Sequence, residues 1–168
     1  MSRSSDLLAQ IAQVLGGDEA VTVIKILQEM GEATDDQLAA KTGVRINNIR
    51  KILYRLYDHS LVSNKRLRDD KTGWFIFLWR PQPDQVAGFI RTQKKRILEK
   101  MRIRLDHEKQ HDFYACDTPQ DERLTFEQAM ESVFRCPQCN KPLKHFDNQP
   151  IIGALEDRMK LLEKELSD

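Results

Sequence analysis

The sequence has few glycines and cysteines, and it lacks the motifs that build common enzyme active sites. Its seven glycines form no glycine-rich phosphate loop, and no His-Glu-x-x-His, His-x-Glu or paired-carboxylate motif accompanies the cysteines. A zinc hydrolase would also need a pocket of titrating residues, which no pattern in the sequence indicates. We therefore expect a protein that is not an enzyme.

Long apolar runs are absent as well. No run of eighteen apolar residues predicts a transmembrane helix, and the first residues lack the apolar core of a signal peptide. The three cysteines are an odd number at metal-ligand spacing, which favours a reducing compartment over a disulfide framework. These features predict a cytoplasmic protein with no membrane partner.

The formal net charge of +1 hides a strong asymmetry along the chain. Residues 45–80 carry nine basic and three acidic side chains, and residues 81–109 carry eight and four. Both ends are acidic, with three basic and seven acidic side chains in residues 1–44 and seven and twelve in residues 110–168. A basic middle can follow nucleic-acid phosphates, although solvated helix faces would give the same composition.

The first half of the chain predicts helices followed by a hairpin. Apolar residues at helical spacing predict helices over 5–15, 18–30 and 46–56, with a short helix between a capping box at Thr34 and a stop at Gly43. Two strands then follow, over 61–67 and 74–79, joined by the turn Asp70-Lys71-Thr72-Gly73. Three helices closed by a hairpin predict a winged helix-turn-helix domain over residues 1–82, with the first helix packed outside it.

The second half predicts three further segments in a chain that is mainly α with a small β component. They are a long connecting helix at 83–111, a degenerate zinc-ribbon domain at 112–147 and a short C-terminal helix at 148–168. The last helix has an apolar a/d seam but is too short to stand alone, so we expect it to pack on the long helix or on a partner. The expected small core of the ribbon consists of Phe113, Leu124, Phe126, Met130 and Phe134.

Two groups of residues in the winged helix are candidate contacts. Arg50, Lys51 and Arg55 on the third helix, together with Asn47 and Asn48, have the side chains that read bases from the major groove. Winged helices also serve as protein docks, and the sequence leaves both uses open. The second group lies on the hairpin and consists of Lys65, Arg66, Arg68 and Lys71, next to Trp74 and Phe75.

Side-chain alternation along the second strand predicts an exposed aromatic surface. Trp74, Ile76 and Leu78 would face one side, and Phe75, Phe77 and Trp79 the other. Since a small domain buries only one side of a hairpin, the other side would expose aromatics to a protein or to single-stranded bases. The alternative is that Trp79 folds under the start of the long helix and only Phe75 is exposed.

The cysteines predict a metal site with one ligand missing. Cys136-Pro137-Gln138-Cys139 is a C-x2-C turn, and Cys116 is half of a second pair whose other position is Pro119. A metal ion bound there would take its fourth ligand from water, Asp117, Asp121 or His111. His107 and His111 have the i, i+4 spacing of a helical metal pair, but solvated residues at a helix end have the same spacing. The residues leave open whether one structural zinc ion is bound.

These motifs, in this order, resemble one family. The third helix reads Asn47-Asn48-Ile49-Arg50-Lys51-Ile52-Leu53-Tyr54-Arg55-Leu56-Tyr57, and the wing reads Gly73-Trp74-Phe75 through Trp79-Arg80-Pro81. The ribbon adds Phe113-Tyr114-Ala115-Cys116, Leu124-Thr125-Phe126-Glu127-Gln128-Ala129-Met130 and Phe134-Arg135-Cys136-Pro137-Gln138-Cys139. They resemble archaeal transcription factor E, a relative of the alpha subunit of the eukaryotic general transcription factor IIE.

The resemblance implies a basal initiation factor that binds RNA polymerase at the clamp and stalk. It further implies help with promoter opening, support of the complex with the TATA-binding protein and transcription factor B, and contact of Trp74 and Phe75 with polymerase or melted DNA. Cys116, Cys136 and Cys139 match three of the four zinc ligands of the family, and Pro119 replaces the fourth. We expect a monomer that prefers melted DNA. The alternative is a dimeric winged-helix repressor with a metal or thiol sensor.

Overall fold

The computed structural model describes residues 3–68, 73–118 and 122–167 of the 168-residue chain. It divides into two compact units, Met1–Thr92 and Gln93–Asp168. Each unit contains helices and one three-stranded antiparallel sheet. The predicted class, mainly α with a small β component, is therefore confirmed.

The N-terminal unit contains every element predicted for it and one additional strand. The first two predicted helices join into one, with a break at Gly17, whose φ of 71° is not helical. The additional strand has two residues and pairs with the second strand of the hairpin. The elements are α1 (Arg3–Met30), β1 (Ala33–Thr34), α2 (Asp35–Thr42), α3 (Ile46–Asp58), β2 (Val62–Arg68) and β3 (Phe75–Pro81), in sheet order β1-β3-β2.

Local signals set the ends of α2 as the sequence predicts. The Gln37 backbone N–H donates to Thr34 Oγ1 at 3.3 Å, and the Thr34 N–H donates to Gln37 Oε1 at 2.9 Å, which closes the capping box. At the other end Gly43 takes a φ of 70°, a left-handed conformation that costs glycine little. The turn into α3 therefore follows from local chemistry.

Trp79 is the largest fully buried side chain of the N-terminal unit, with 1% of its surface exposed. Its indole N–H donates to Asp35 Oδ1 at 2.6 Å, and the rings of Tyr54 and Tyr57 meet it edge-on with centroids at 5.5 and 6.2 Å. The expectation that Trp79 is exposed with Phe75 is therefore wrong. The alternative describes this ring better, since Trp79 is buried while Phe75 stays exposed.

The helix α1 also passes a simple length-and-composition test for a membrane span. Residues Asp6–Met30 are long and apolar enough to cross a bilayer, with a mean hydropathy of 1.3 in the most apolar window. The same test is passed by core helices of globular domains. Here part of the apolar surface of α1 lies in the core of the N-terminal unit, including Leu8, Ala12, Val23, Ile24 and Leu27. That packing accounts for these side chains, whereas Val14 of the same helix is 85% exposed.

The C-terminal unit contains two long helices and a small sheet. The elements after the N-terminal sheet are a 3-10 turn (Pro83–Gln85), α4 (Val86–Gln110), β4 (Phe113–Ala115), β5 (Leu124–Thr125), α5 (Phe126–Glu131), β6 (Lys144–Phe146) and α6 (Gln149–Ser167), with sheet order β5-β4-β6. The unit boundary falls inside α4, after Thr92. The core expected for the ribbon is partly wrong, because Phe126 and Met130 are exposed whereas Ala129, Cys136 and Leu143 are buried.

The last helix lies antiparallel to the long helix of its own unit. Ion pairs join the two helices at Lys94–Glu165 (2.9 Å), Arg102–Glu163 (2.8 Å) and Lys109–Glu156 (2.6 Å). Leu98 and Leu105 of α4 and Ile152 and Leu162 of α6 are buried. Of the two arrangements expected for α6, the structure contains the packing on the long helix.

We predict that Asp35→Ala destabilises the N-terminal unit by about 2–4 kcal/mol, because it leaves the Trp79 N–H buried without its acceptor and breaks a part-buried ion pair. Urea unfolding followed by tryptophan fluorescence measures the change. The matched control is Asp36→Ala, one residue further on at an exposed position. Equal unfolding midpoints for the two variants would contradict the role of Asp35.

Candidate nucleic-acid interface and metal site

The hairpin tip, defined as Lys65, Arg66, Arg68, Trp74 and Phe75, joins cations to exposed aromatic rings. Trp74 is 77% exposed and Phe75 is 53% exposed. The Arg66 guanidinium lies over the Phe75 ring at 3.5 Å from the centroid, and Arg68 Nε donates to the Gly73 carbonyl oxygen at 3.2 Å. Lys71, which the sequence adds to this group, lies outside the described residues.

The register of the hairpin decides which side chains share a face. Arg66 lies opposite Phe77 and Arg68 lies opposite Phe75, so both arginines are on the face that also carries Trp79. Lys65 lies opposite Leu78 on the other face. Two arginines therefore lie opposite two phenylalanines at the end of one face, next to the core. This is the composition of a surface that binds single-stranded nucleic acid.

The polar side chains of α3 are largely engaged within the unit. Asn48 Nδ2 donates to Glu19 Oε2 at 3.1 Å, and Arg55 Nη1 donates to the Leu15 carbonyl oxygen of α1. Arg50 Nε donates to Asp35 Oδ2 at 2.7 Å, and this hydrogen bond raises the pKa of Arg50 above its ordinary value. Lys51 is exposed. The structure therefore gives most of the residues predicted to read bases a role in packing α3.

The three cysteine sulfurs come together in the C-terminal unit. The Sγ atoms of Cys116, Cys136 and Cys139 all lie within 4.8 Å of one another, and the Cys116 and Cys139 sulfurs are 3.6 Å apart. Zinc–sulfur bonds of about 2.3 Å in a tetrahedron separate two sulfurs by about 3.8 Å. The spacing therefore suits three thiolate ligands of one metal ion.

Backbone hydrogen bonds shape the C-x2-C turn. The Asn140 N–H donates to the Cys136 carbonyl oxygen at 2.8 Å, with Asn140 in the left-handed region at φ 58°. The Cys136 N–H donates to the Lys141 carbonyl oxygen, also at 2.8 Å. The turn thus has a defined shape that comes from its own backbone. It presents both sulfurs toward Cys116.

Within the described residues, no histidine or carboxylate completes this group of three cysteines. The Asp117 carboxylate is paired with Lys144 Nζ at 3.0 Å, and the His111 ring stacks on His107 with centroids 4.6 Å apart. His111 Nδ1 lies 2.9 Å from the His107 carbonyl oxygen. Pro119 and Asp121 lie outside the described residues. The cysteines therefore offer three of the four ligands of a structural site.

A buried carboxylate organises the segments around the ribbon. Glu108, near the end of α4, is 1% exposed and receives hydrogen bonds from three directions. Arg104 Nη2 and Arg123 Nη2 lie 2.8 and 3.0 Å from Oε1, and Asn148 Nδ2 donates to Oε2 at 3.0 Å and to the Glu108 carbonyl oxygen at 2.8 Å. The Arg123 guanidinium also lies over Phe113. This network connects α4, the segment before β5 and the segment before α6.

No motif in the sequence points to Glu108, Arg123 or Asn148. Burial by itself raises the pKa of Glu108. Hydrogen bonds from Arg123 and Asn148 and the charges of Arg123 and Arg104 lower the pKa by more than burial raises it, so that it lies below the ordinary value. The residues come from three separate segments at no motif spacing. The one local signal is the i, i+4 pair of Arg104 and Glu108.

Known proteins are similar to this chain over nearly its whole length. The family described as TFIIE alpha subunit matches residues 6–110, which include the hairpin tip and all of α4. Transcription factor E of Pyrococcus abyssi is 43% identical over 166 residues, covering 99% of this chain and 87% of its own. The chain belongs to the TFIIE alpha subunit family. This confirms the resemblance stated from the motifs.

Other relatives extend the match across the ribbon. Transcription factor E of Cenarchaeum symbiosum is 38% identical over 166 residues, covering 99% of this chain and 97% of its own. A solved structure described as a possible transcriptional regulator from Methanosarcina mazei Go1 covers 56% of this chain and 83% of its own at 9% identity, with a TM-score of 0.43. That likeness is too distant to support a conclusion. As a member of the TFIIE alpha family, the chain is a transcription initiation factor, in a class that does not consist of enzymes.

We predict that Glu108→Gln destabilises the C-terminal unit by about 2–4 kcal/mol, because it removes the charge that neutralises two arginines in a buried network. Hydrogen exchange of the C-terminal amides, read by mass spectrometry, measures the loss. The matched control is Glu163→Gln, which removes one exposed ion pair with Arg102 and should cost about 0–1 kcal/mol. Equal exchange in the two variants would exclude a structural role for the network.

The same network makes stability depend on pH in a defined direction. Because the folded pKa of Glu108 lies below its ordinary value of 4.5, its contribution is complete above that value and is lost as the pH falls through the folded pKa. Glu108→Gln should therefore reduce the loss of stability that the C-terminal unit shows as the pH falls. The Glu163→Gln control should retain more of that acid-dependent loss.

Proposed function

We propose that this chain is a basal transcription initiation factor that binds RNA polymerase at its clamp and stalk. In this proposal it also joins the promoter complex with the TATA-binding protein and transcription factor B, assists promoter opening and stabilises melted DNA. It acts in the cytoplasm as a monomer. The observation that carries the proposal is the hairpin tip, where Trp74 and Phe75 stand exposed beside Lys65, Arg66 and Arg68.

The proposal treats the N-terminal unit as a winged helix and the hairpin as its wing. Bases in a duplex are stacked and paired, whereas unpaired bases offer their faces to aromatic side chains. Exposed rings beside cations therefore favour melted DNA over duplex. The engagement of Asn48 and Arg55 with α1 supports the wing, and not α3, as the main contact surface. The rest of the chain follows the division proposed from sequence, with a connecting helix at 83–111, a ribbon at 112–147 and a C-terminal helix at 148–168.

A dimeric repressor is the rival function, and two observations count against it. Its dimer seam would be the apolar face of α6, but Leu162 of that seam and the neighbouring Ile152 are buried within the chain. Its recognition helix would be α3, whose Asn48 and Arg55 contact α1. A repressor would also bind one palindromic duplex tightly as a dimer.

We further propose that Cys116, Cys136 and Cys139 hold one structural zinc ion. The donor set is suitable, since thiolates are the usual ligands of structural zinc and the three sulfurs are close enough to share one ion. With proline at position 119, the fourth ligand is water or a neighbouring carboxylate. Such a site binds zinc more weakly than four thiolates do.

Elemental analysis tests the zinc proposal. We expect about one zinc per chain in the purified protein and a large loss in Cys136→Ser, since each thiolate is a ligand. Pro119→Cys should release zinc to a colorimetric chelator more slowly than the wild type, because it restores a fourth thiolate. Zinc content that is equal in the wild type and Cys136→Ser would exclude the site.

The function is tested in a promoter-opening assay with RNA polymerase, the TATA-binding protein and transcription factor B. Permanganate reactivity of unpaired thymines should rise when the chain is added. The double variant Trp74→Ala, Phe75→Ala should lose most of that gain, because stacking on an aromatic ring contributes about 1–3 kcal/mol per base. Val14→Ala, also at a highly exposed apolar position, should behave as the wild type. No rise with the wild type, or tight binding of a palindromic duplex by a dimer, would refute the proposal.

A further inference from the structure

A groove in the N-terminal unit adjoins the hairpin tip and has a distinct set of lining residues. Its volume is about 320 Å³, and it lies between the start of α2, one face of α3 and the first half of β3. It is lined by Thr34, Asp35, Asp36, Arg50, Tyr54, Phe75, Ile76 and Phe77. This volume is at the small end of the range of volumes for ligand sites, and it suits one planar ring system.

We propose that this groove takes one unpaired nucleobase of a DNA strand, stacked between Tyr54 and Phe75. The inference rests on the proposed function, which supplies the melted strand, and it adds a defined position for one base and a role for Tyr54. Tyr54 is 46% exposed, and Phe75 is 53% exposed. Both rings line the same groove, so a base that enters it lies within reach of both.

The position of Arg66 prepares Phe75 for this role. The guanidinium lies 3.5 Å from the centroid of the Phe75 ring, so one face of that ring is already covered. A base on the groove side would extend this to a stack of guanidinium, phenyl ring and base. Arg66 also brings a positive charge within reach of the phosphate that follows such a base. Charge and stacking therefore act on the same nucleotide.

The polar rim indicates how the base would be held at its edge. Arg50 lines the groove from α3, where its contact with Asp35 fixes the position of the guanidinium. Asp36 lines the groove from the exposed first turn of α2, and its carboxylate can accept a hydrogen bond from an exocyclic amino group. Adenine, cytosine and guanine carry such a group and thymine does not. The groove should therefore favour amino-bearing bases.

Tyr57 offers a matched control on the same helix. It has the same exposure as Tyr54, 46%, and it also meets the Trp79 ring edge-on. It does not line the groove. Tyr54→Leu and Tyr57→Leu should therefore perturb packing against Trp79 to a similar degree, and only the first should remove a stacking wall.

The experiment uses the full chain and single-stranded DNA of about 12 nucleotides with one central 2-aminopurine, whose fluorescence falls on stacking. The wild type should quench the probe, and Tyr54→Leu should bind it about 10-fold more weakly with little quenching, because one stacking wall is gone. Tyr57→Leu should bind within about 2-fold of the wild type, and Tyr54→Phe, which keeps the ring, should do the same. Thermal unfolding of all variants verifies that each is folded.

A second arm tests the polar rim. The wild type should bind oligocytidine more tightly than oligothymidine of the same length, and Asp36→Ala should reduce that ratio toward one. The slope of affinity against salt should be the same for Tyr54→Leu and the wild type, since Tyr54 contacts no phosphate in this arrangement. A change in the salt slope would contradict a role confined to stacking.

Two outcomes would overturn the proposed base site in the groove while leaving the proposed function in place, and a third would overturn both. If the wild type opens promoters but Tyr54→Leu and Tyr57→Leu bind the probe equally, the groove holds no base. If Tyr54→Leu binds the probe normally but loses co-purification with RNA polymerase, the groove takes a protein side chain instead. If the wild type neither opens promoters nor prefers single strands to duplex, the proposed function fails together with the inference.

Discussion

The carboxylate of Asp35 is the interaction on which the N-terminal unit depends. It is the first residue of α2, where the helix dipole favours a negative charge, and it accepts hydrogen bonds from Trp79 of β3 and Arg50 of α3. A buried carboxylate with these partners cannot move without leaving an indole N–H or a guanidinium unsatisfied. Trp79 in turn pairs with Ala33 of β1, which sets the position of the hairpin on the helices. The exposed rings at the hairpin tip are therefore carried by a strand that is anchored at its other end.

A second buried carboxylate, Glu108, connects elements of the C-terminal unit through hydrogen bonds that need no metal ion. Glu108 joins three chain segments, and its arginine partner Arg123 also covers two aromatic rings, Phe113 and Phe146. A four-thiolate zinc ribbon obtains much of its folding free energy from the metal. With proline in place of one ligand, zinc binding would contribute less free energy to the folding of this chain. The Glu108 network and the pairing of α4 with α6 supply connections that do not depend on it.

Much of the fold can be predicted from local signals, and the errors concern which apolar side chains the rest of the chain covers. The Thr34 capping box, the Gly43 stop and the apolar stripe of α3 each act within a few residues, and the structure contains all three. Trp79 was misplaced because strand alternation tells which side chains share a face but not which residues of that face the helices cover. Phe126 and Met130 are exposed, contrary to the expectation, because the small core buries Ala129 of the same helix instead. Of the site, the three cysteines were predictable from spacing, whereas Glu108, Arg123 and Asn148 meet only in the folded chain.

The proposed difference in role between α3 and the hairpin rests on which polar and aromatic side chains each exposes to a partner. A helix whose Asn48, Arg50 and Arg55 are held by neighbouring elements must break those contacts before it can read bases, and each broken contact reduces the affinity gained. At the hairpin tip the Trp74 and Phe75 rings are exposed, and Arg66 already lies on Phe75. The stacking and phosphate contacts of the hairpin tip are sequence-tolerant, because stacking accepts any base and a guanidinium accepts any phosphate. A basal factor of the kind proposed here would act at many promoters and so requires that tolerance, whereas a specific repressor would lose its selectivity by it.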